Sequence, residues 1–110
     1  MSFAKDLNDA NFKELLSNDS KPALVYYGAP WSQPSLATLA ALKELTDLYS
    51  AKLDFFCVNV DENANLPAMR GIQKIPTLQI STDKENWQSL VGRHEKRRIK
   101  QFIEEYFSPN

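Results

Sequence analysis

The sequence contains very little cysteine and histidine. Its 110 residues include one cysteine, Cys57, and one histidine, His94. A chain with this composition cannot close an internal disulfide, build a Cys/His metal cage or hold a two-cysteine redox centre. We therefore expect no metal site, and no residue pattern predicts a cofactor.

The chain also lacks an excess of charge and a long apolar run. Thirteen Lys and Arg stand against fourteen Asp and Glu, for a formal net charge of -1. This balance gives no overall field to attract nucleic acid or an anionic membrane. No apolar run approaches the roughly 20 residues that span a bilayer, and residues 1–8 do not have the pattern of a leader peptide. We predict a cytoplasmic protein that binds neither nucleic acid nor membranes.

Composition and length are typical of a folded domain. Hydrophobic residues make up 43% of the chain and charged residues 25%, as in ordinary globular proteins. The six prolines and three glycines are scattered along the chain, so no segment has the composition of a linker. We predict one domain over residues 1–110 and a monomer.

Four stretches carry apolar residues at helical spacing. We predict a short helix that Asn8 or Asp9 caps and that ends near residues 18–20. A long helix over 34–49 follows from its regularly spaced leucines, a short one over 66–70 ends at Gly71, and a last helix covers 95–107.

Four further stretches have the pattern of strands. Residues 23–27 form a continuous apolar run that Gly28 stops, which indicates a strand buried on both faces. Residues 53–60 give a second central strand, and 77–81 with 87–91 give an antiparallel hairpin. A strand, a long helix and a strand in succession form a right-handed crossover between parallel strands. We predict an α/β fold with a central mixed sheet of four to five strands and helices on both faces.

Two motifs resemble the thioredoxin family. Trp31-Ser32-Gln33-Pro34-Ser35, where the first central strand meets the long helix, resembles the loop Trp-Cys-x-Pro-Cys with serine at both cysteine positions. About forty residues downstream, Gly71 to Thr77 is similar to the segment that carries the family's cis-proline, here Pro76. The resemblance extends from Leu7 to Phe107 and includes Val60-Asp61 and Gly92, so it implies a thioredoxin fold.

The resemblance implies a site and an activity. Thioredoxins are thiol-disulfide oxidoreductases in which a thiolate at a helix N-terminus attacks a disulfide and a second thiol resolves the product. Ser32 and Ser35 stand at those positions, and a hydroxyl cannot replace a thiol, so we expect the chain to be redox-inactive. The resemblance implies a client-binding groove and polypeptide clients, with a thioredoxin reductase for a dithiol parent. The resemblance places the client-binding groove at Trp31, Gln33, Pro34, Ile75, Pro76 and Gly92.

Three residues behind the loop depart from the family pattern. Tyr26 stands where thioredoxins commonly have a buried aspartate, Cys57 where they have a lysine, and Gly28 where they have a tryptophan. Two interpretations of the serines therefore stay open. The chain is either an engineered Cys→Ser form of an active oxidoreductase or a natural redox-dead binding, chaperone or adaptor module.

Some of these residues also have simple structural interpretations. Ser32 or Ser35 can cap the long helix, and the sequence lacks the pattern that would make Ser32 and His94 a catalytic pair. Cys57, inside an apolar strand, is predicted to be a small buried hydrophobic residue, the alternative being a thiol near the groove. We expect Trp87 to pack in the core or at the sheet edge and Trp31 to be exposed.

Basic residues cluster at the start of the last helix. They favour a solvated helix face, and the alternative is a surface for an acidic partner. The residues of this possible partner patch are Arg93, Arg97 and Arg98, with Lys96, Lys100 and His94 close by.

Overall fold

A computed structural model describes residues 3–17 and 21–107. The described strands are β1 (Lys5–Asp6), β2 (Ala23–Gly28), β3 (Asp54–Asn59), β4 (Thr77–Ser81) and β5 (Gln88–Val91). The described helices are α1 (Phe12–Ser17), α2 (Gln33–Tyr49), α3 (Asn65–Met69) and α4 (Lys96–Tyr106). The predicted order of the four helices and of strands β2 to β5 is confirmed.

The strands form one mixed sheet in the order β1-β3-β2-β4-β5. Strand β3 is parallel to β1 and β2, whereas β4 is antiparallel to both β2 and β5. The predicted crossover through α2 and the predicted hairpin are therefore confirmed. All six residues of β2 are buried, because this strand has a neighbour on each side and a helical layer on each face.

Two apolar clusters hold the helices against opposite faces of the sheet. One contains Leu42 and Leu45 of α2 with Ile99, Phe102 and Ile103 of α4. The other contains Phe12 and Leu16 of α1 with Leu66 of α3. The strands supply alternate residues to the two clusters, such as Leu24 to the first and Val25 to the second. The prediction of helices on both faces of an α/β sheet is thus confirmed.

The boundaries differ from prediction by one or two residues. Gly28, predicted to stop β2, is its last residue because it pairs with Asn59 of β3. Trp87 lies just before β5, where the Arg70 guanidinium carbon is 4.7 Å from the centre of its ring. Glu95 has extended backbone and is the N-cap of α4, so this helix begins one residue later than predicted. The predicted end of the first helix, residues 18–20, lies outside the described residues.

The helices of the described ranges are short relative to a bilayer. Helix α2, with 17 residues, is the longest of them. Over residues 3–17 and 21–107, no helix is long and apolar enough to cross a membrane.

Candidate functional site

Strand register brings three loops together at one edge of the sheet. Tyr27 near the end of β2 is opposite Thr77 at the start of antiparallel β4, and Thr77 is opposite Val91 at the end of β5. The loop after β2, the loop before β4 and Gly92 after β5 therefore lie side by side. Gly92 N–H donates a 2.8 Å hydrogen bond to the Pro76 carbonyl, and the Ile75–Pro76 peptide bond is cis.

Trp31 is the most exposed large hydrophobic side chain in the loop after β2. Its exposed fraction is 69%, so the prediction of an exposed tryptophan is confirmed. Its Nε1–H donates a 2.9 Å hydrogen bond to Asp61 Oδ2. Because β2 and β3 are parallel, the residues after β3 return to the same sheet edge as Trp31. The bond orients the indole while leaving its faces open to a partner.

Ser32, one of the two serines predicted as a cap, is the N-cap of helix α2. It has an extended backbone, with φ -95° and ψ 115°, and its side chain accepts a hydrogen bond from Ser35 N–H at 3.2 Å. Proline follows in the first turn of the helix, where the missing N–H has no intrahelical partner to lose. Ser32 is nearly buried at 7% exposure, so its hydroxyl is engaged in the fold.

Ser35 lies one turn further along α2 and faces inward. Its exposed fraction is 0%, and its hydroxyl has no hydrogen-bond partner among the described residues, a property it shares with Thr38. A buried hydroxyl without a partner costs about 1–3 kcal/mol. A thiol at the same position would lose less, because sulfur is a weak hydrogen-bonding group.

Tyr26 and Gly28 pack together behind the loop. The Tyr26 hydroxyl donates a 2.9 Å hydrogen bond to the Ser35 backbone carbonyl. A Cβ on residue 28 would collide with the hydroxyl and ring of Tyr26, so the large side chain at one position requires glycine at the other. Burial raises the pKa of Tyr26 above its ordinary value, and the phenol stays protonated at neutral pH. Both residues depart from the family pattern in the sequence, but their contact is visible only in the fold.

Cys57 is only half-buried, so the prediction of a buried residue is wrong. It lines a pocket of about 200 Å³ that opens between the sheet and the first turns of α2. Asp6 of the two-residue strand β1 and Gly28 of β2 also line this pocket. Burial, and secondarily the Asp6 carboxylate, raise the pKa of the Cys57 thiol to about 11.

The basic residues near α4 are partly neutralised within the chain. Lys96 pairs with Glu44 at 2.8 Å, Arg98 with Glu105 at 3.5 Å and Lys100 with Glu104 at 2.9 Å. In the described part of the chain, no carboxylate pairs with Arg93 or Arg97. His94 Nε2 lies 2.9 Å from the Val91 carbonyl, whereas Ser32 bonds to Ser35, so the structure does not form a pair between His94 and Ser32.

The described side chains also include no metal cage. Across residues 3–17 and 21–107, no group of three His, Cys, Asp or Glu is placed to hold a metal ion. The edge of the sheet instead presents the exposed indole of Trp31, the exposed residues Gln33 and Pro34, and the backbone around Ile75 and Pro76.

This combination of sheet order and loop arrangement defines a class of protein. The thioredoxin family model matches residues 3–105. A thioredoxin of Synechocystis sp. is 32% identical over 106 residues, which cover 96% of this chain and 99% of that protein. The chain belongs to the thioredoxin family.

Two further similarities agree with this assignment. The M-type chloroplastic thioredoxin of Spinacia oleracea is 30% identical over 105 residues, and the match spans 96% of this chain and 58% of that longer protein. The crystal structure of chloroplastic thioredoxin z is similar in fold, with a TM-score of 0.81, 18% identity and coverage of 96% and 95% of the two chains. The predicted thioredoxin fold is therefore confirmed.

Proposed function

We propose that this protein binds extended client polypeptides at the sheet edge and does not catalyse dithiol-disulfide exchange. The observation that supports the proposal most strongly is one juxtaposition. The exposed indole of Trp31 and the segment before β4 lie at the same edge, while residues 32 and 35 carry hydroxyls. We call this surface the edge groove: Trp31, Gln33, Pro34, Ile75, Pro76 and Gly92.

The edge groove offers two kinds of contact to an extended segment. Within the described residues, neither backbone group of Ile75 bonds to another backbone group, so both are available to a client strand. Tryptophan supplies much of the binding energy at protein interfaces because it buries a large apolar area. The Ile75 backbone and the Trp31 side chain together fit an extended client. Such a client would form backbone hydrogen bonds with Ile75 and place an apolar side chain on Trp31.

The absence of exchange follows from the chemistry of the two serines. Exchange requires a thiolate that attacks a disulfide and a second thiol that resolves the mixed disulfide. A serine hydroxyl forms no S–S bond. Cys57 is no substitute, because with a pKa of about 11 only about one thiol in ten thousand is ionised at pH 7.

The unpaired cations next to the edge groove indicate the charge of the client. Arg93 follows Gly92 directly, and Arg97 is exposed on the first turn of α4. We propose that both contact acidic residues that flank the bound segment, whereas Arg98 is already paired with Glu105. Monomeric state and a cytoplasmic location stay predictions from the sequence.

Capture of partners from a native extract tests the proposal. The Trp31→Ala variant should lose most of the partners that the wild type retains. Leu48→Ala is a matched control, since Leu48 is also exposed, at 57%, and lies about 21 Å from Pro34 along the axis of α2. Equal capture by both variants, or no partner surviving a wash of the wild type, would contradict client binding at Trp31.

A second candidate is a disabled form of an active oxidoreductase, and the unpartnered Ser35 hydroxyl favours it. A cysteine at position 35 would need no hydrogen-bond partner. Its replacement by serine would therefore leave a hydroxyl without a partner, as observed for Ser35. The double variant Ser32→Cys with Ser35→Cys should then reduce a protein disulfide and accept electrons from a thioredoxin reductase. Ser35→Cys alone is the control, because it lacks the attacking thiol. A double variant without activity eliminates this candidate.

A further inference from the structure

A pocket behind the loop is made of different side chains from the edge groove. Its volume is about 200 Å³, and cavities of about 150 Å³ accept one aromatic ring. The floor is the sheet, with Tyr26 and Cys57 side by side, and the wall is α2. The lining residues are Asp6, Tyr26, Gly28, Ala29, Pro30, Leu36, Leu39, Cys57, Val58 and Asn59.

The register of three strands places a carboxylate at one side of this apolar pocket. Asp6 of β1 is opposite Cys57 of β3, and Cys57 is opposite Tyr26 of β2. The three side chains therefore form a row across one face of the sheet. Asp6 is exposed and is the one charged residue among those that line the pocket.

The Asp6 carboxylate is available for a ligand. In the described part of the chain, it accepts no hydrogen bond and forms no ion pair. Lys5 points to the opposite face of the sheet, where its ammonium lies 6.0 Å from the centre of the Phe56 ring. The neighbouring thiol and phenol are both protonated at neutral pH, because burial raises their pKa values. The charge of the pocket is therefore negative and comes from Asp6.

Apolar walls remain uncovered on the helix side. Leu36 is 40% exposed and Leu39 is half-buried, so a bound apolar group would remove both from water. The size, the apolar walls and the unpaired carboxylate together describe one chemical class of ligand. We infer that this pocket binds a small organic ammonium ion, with a ring or short alkyl chain against Leu36, Leu39 and Cys57 and the cation beside Asp6.

Nuclear magnetic resonance titration with benzylammonium, benzyl alcohol and benzoate tests the inference. Amide shifts should centre on Gly28, Leu39 and Cys57 and should saturate with a Kd of about 1–10 mM, as for a ligand of this size. The ammonium should bind about fivefold more tightly than the alcohol because of the charge interaction with Asp6. Benzoate should bind more weakly than the alcohol.

Variants separate the charge from the cavity. Asp6→Asn should remove the fivefold preference for the ammonium and leave alcohol binding unchanged. Cys57→Lys should abolish binding, since its own side chain would fill the pocket and reach Asp6, whereas Cys57→Ser should retain it. Trp31→Ala should bind benzylammonium as the wild type does, so this test is independent of client binding.

Three results would overturn the inference. One is the absence of saturable shifts at about 50 mM benzylammonium, well above the expected Kd. The second is equal affinity for the ammonium and the alcohol, or an unchanged preference in Asp6→Asn. The third is tighter binding of Nα-acetyl-lysine amide, which keeps its side-chain ammonium, than of benzylammonium. That result would assign the pocket to a lysine of a polypeptide instead of a free amine.

Discussion

The two sides of the loop between β2 and α2 differ in how far they keep the thioredoxin pattern. At the sheet edge, Trp31, Pro34 and the cis peptide before Pro76 are arranged as the resemblance implies. Behind the loop, Tyr26 fills the space over Gly28 and donates a hydrogen bond to the Ser35 carbonyl. One side is the exposed surface that we propose for a client, and the other is an interior that departs from the family pattern.

Under the proposed function, client binding and disulfide exchange depend on separate sets of residues. The proposed client contacts Trp31 and the backbone near Ile75 on the outer surface. Disulfide exchange requires thiols at positions 32 and 35. Behind the loop lie the phenol of Tyr26 and the thiol of Cys57, and burial raises both of their pKa values. The rear of the loop thus lacks a group that titrates near neutral pH, as far as the described residues show.

The largest expected effect concerns the reactivity of the thiol behind the loop. Because the Cys57 pKa is raised to about 11, the rate of alkylation should increase about tenfold per pH unit from pH 7 to pH 10, following the thiolate fraction. Iodoacetamide labelling followed by mass spectrometry measures this rate. The chain denatured in guanidinium is the control and should level off above its ordinary pKa of about 8.5. A plateau below pH 9 in the folded protein would contradict the assigned environment.

The next effect concerns the contact between Tyr26 and Gly28. Gly28→Ala should lower the free energy of unfolding by about 1–3 kcal/mol, because the new methyl group collides with Tyr26. Urea denaturation measures the loss. A double-mutant cycle with Tyr26→Leu is the control, since the smaller side chain should reduce the cost of the Gly28→Ala substitution by more than half. Equal costs in both backgrounds would show that the two residues are not coupled.

The two serines should respond with opposite signs. Ser32→Ala removes the N-cap of α2 and should destabilise the fold by about 1 kcal/mol. Ser35→Ala removes a buried hydroxyl without a partner and should stabilise it by about 1 kcal/mol. Thermal denaturation of both variants measures the changes, and Thr38→Val, which removes the other orphan hydroxyl, should also stabilise. Destabilisation by Ser35→Ala would mean that its hydroxyl has a partner in solution.

The smallest effect concerns the orientation of Trp31. Asp61→Ala removes the acceptor of the indole N–H and should weaken binding of a captured client about twofold to fivefold, since the bond is exposed to water. Stability should change by less than about 0.5 kcal/mol, as for surface substitutions. Glu62→Ala, the neighbouring exposed carboxylate, is the matched control. Loss of affinity in both variants would assign the effect to local charge.

The sequence was sufficient to predict the four helices, strands β2 to β5 and their order. Apolar periodicity identifies α2 and α4 because each buries one stripe of residues against the sheet. The continuous apolar run at 23–27 identifies β2 as a central strand, since both of its faces are covered. These signals involve residues that are close together in the sequence, so they can be detected without the structure. The cap at Ser32 is local in the same sense.

What the sequence did not predict depends on contacts between strands and across loops. The coupling of Tyr26 to Gly28 needs the direction in which the phenol extends. The half-exposure of Cys57 depends on the pocket between the sheet and α2, which only the folded chain forms. The bond from Trp31 to Asp61 joins residues thirty positions apart. The presence of Tyr and Gly two apart in a buried strand was the one available signal of the first contact.

Calorimetric titration of a client captured by the wild type, with and without dithiothreitol, tests client binding without exchange most directly. The Kd should be the same in both conditions, because no thiol takes part, and Trp31→Ala should weaken binding about tenfold or more, as for a central interface tryptophan. Binding that dithiothreitol abolishes, or that Trp31→Ala leaves unchanged, would contradict the account.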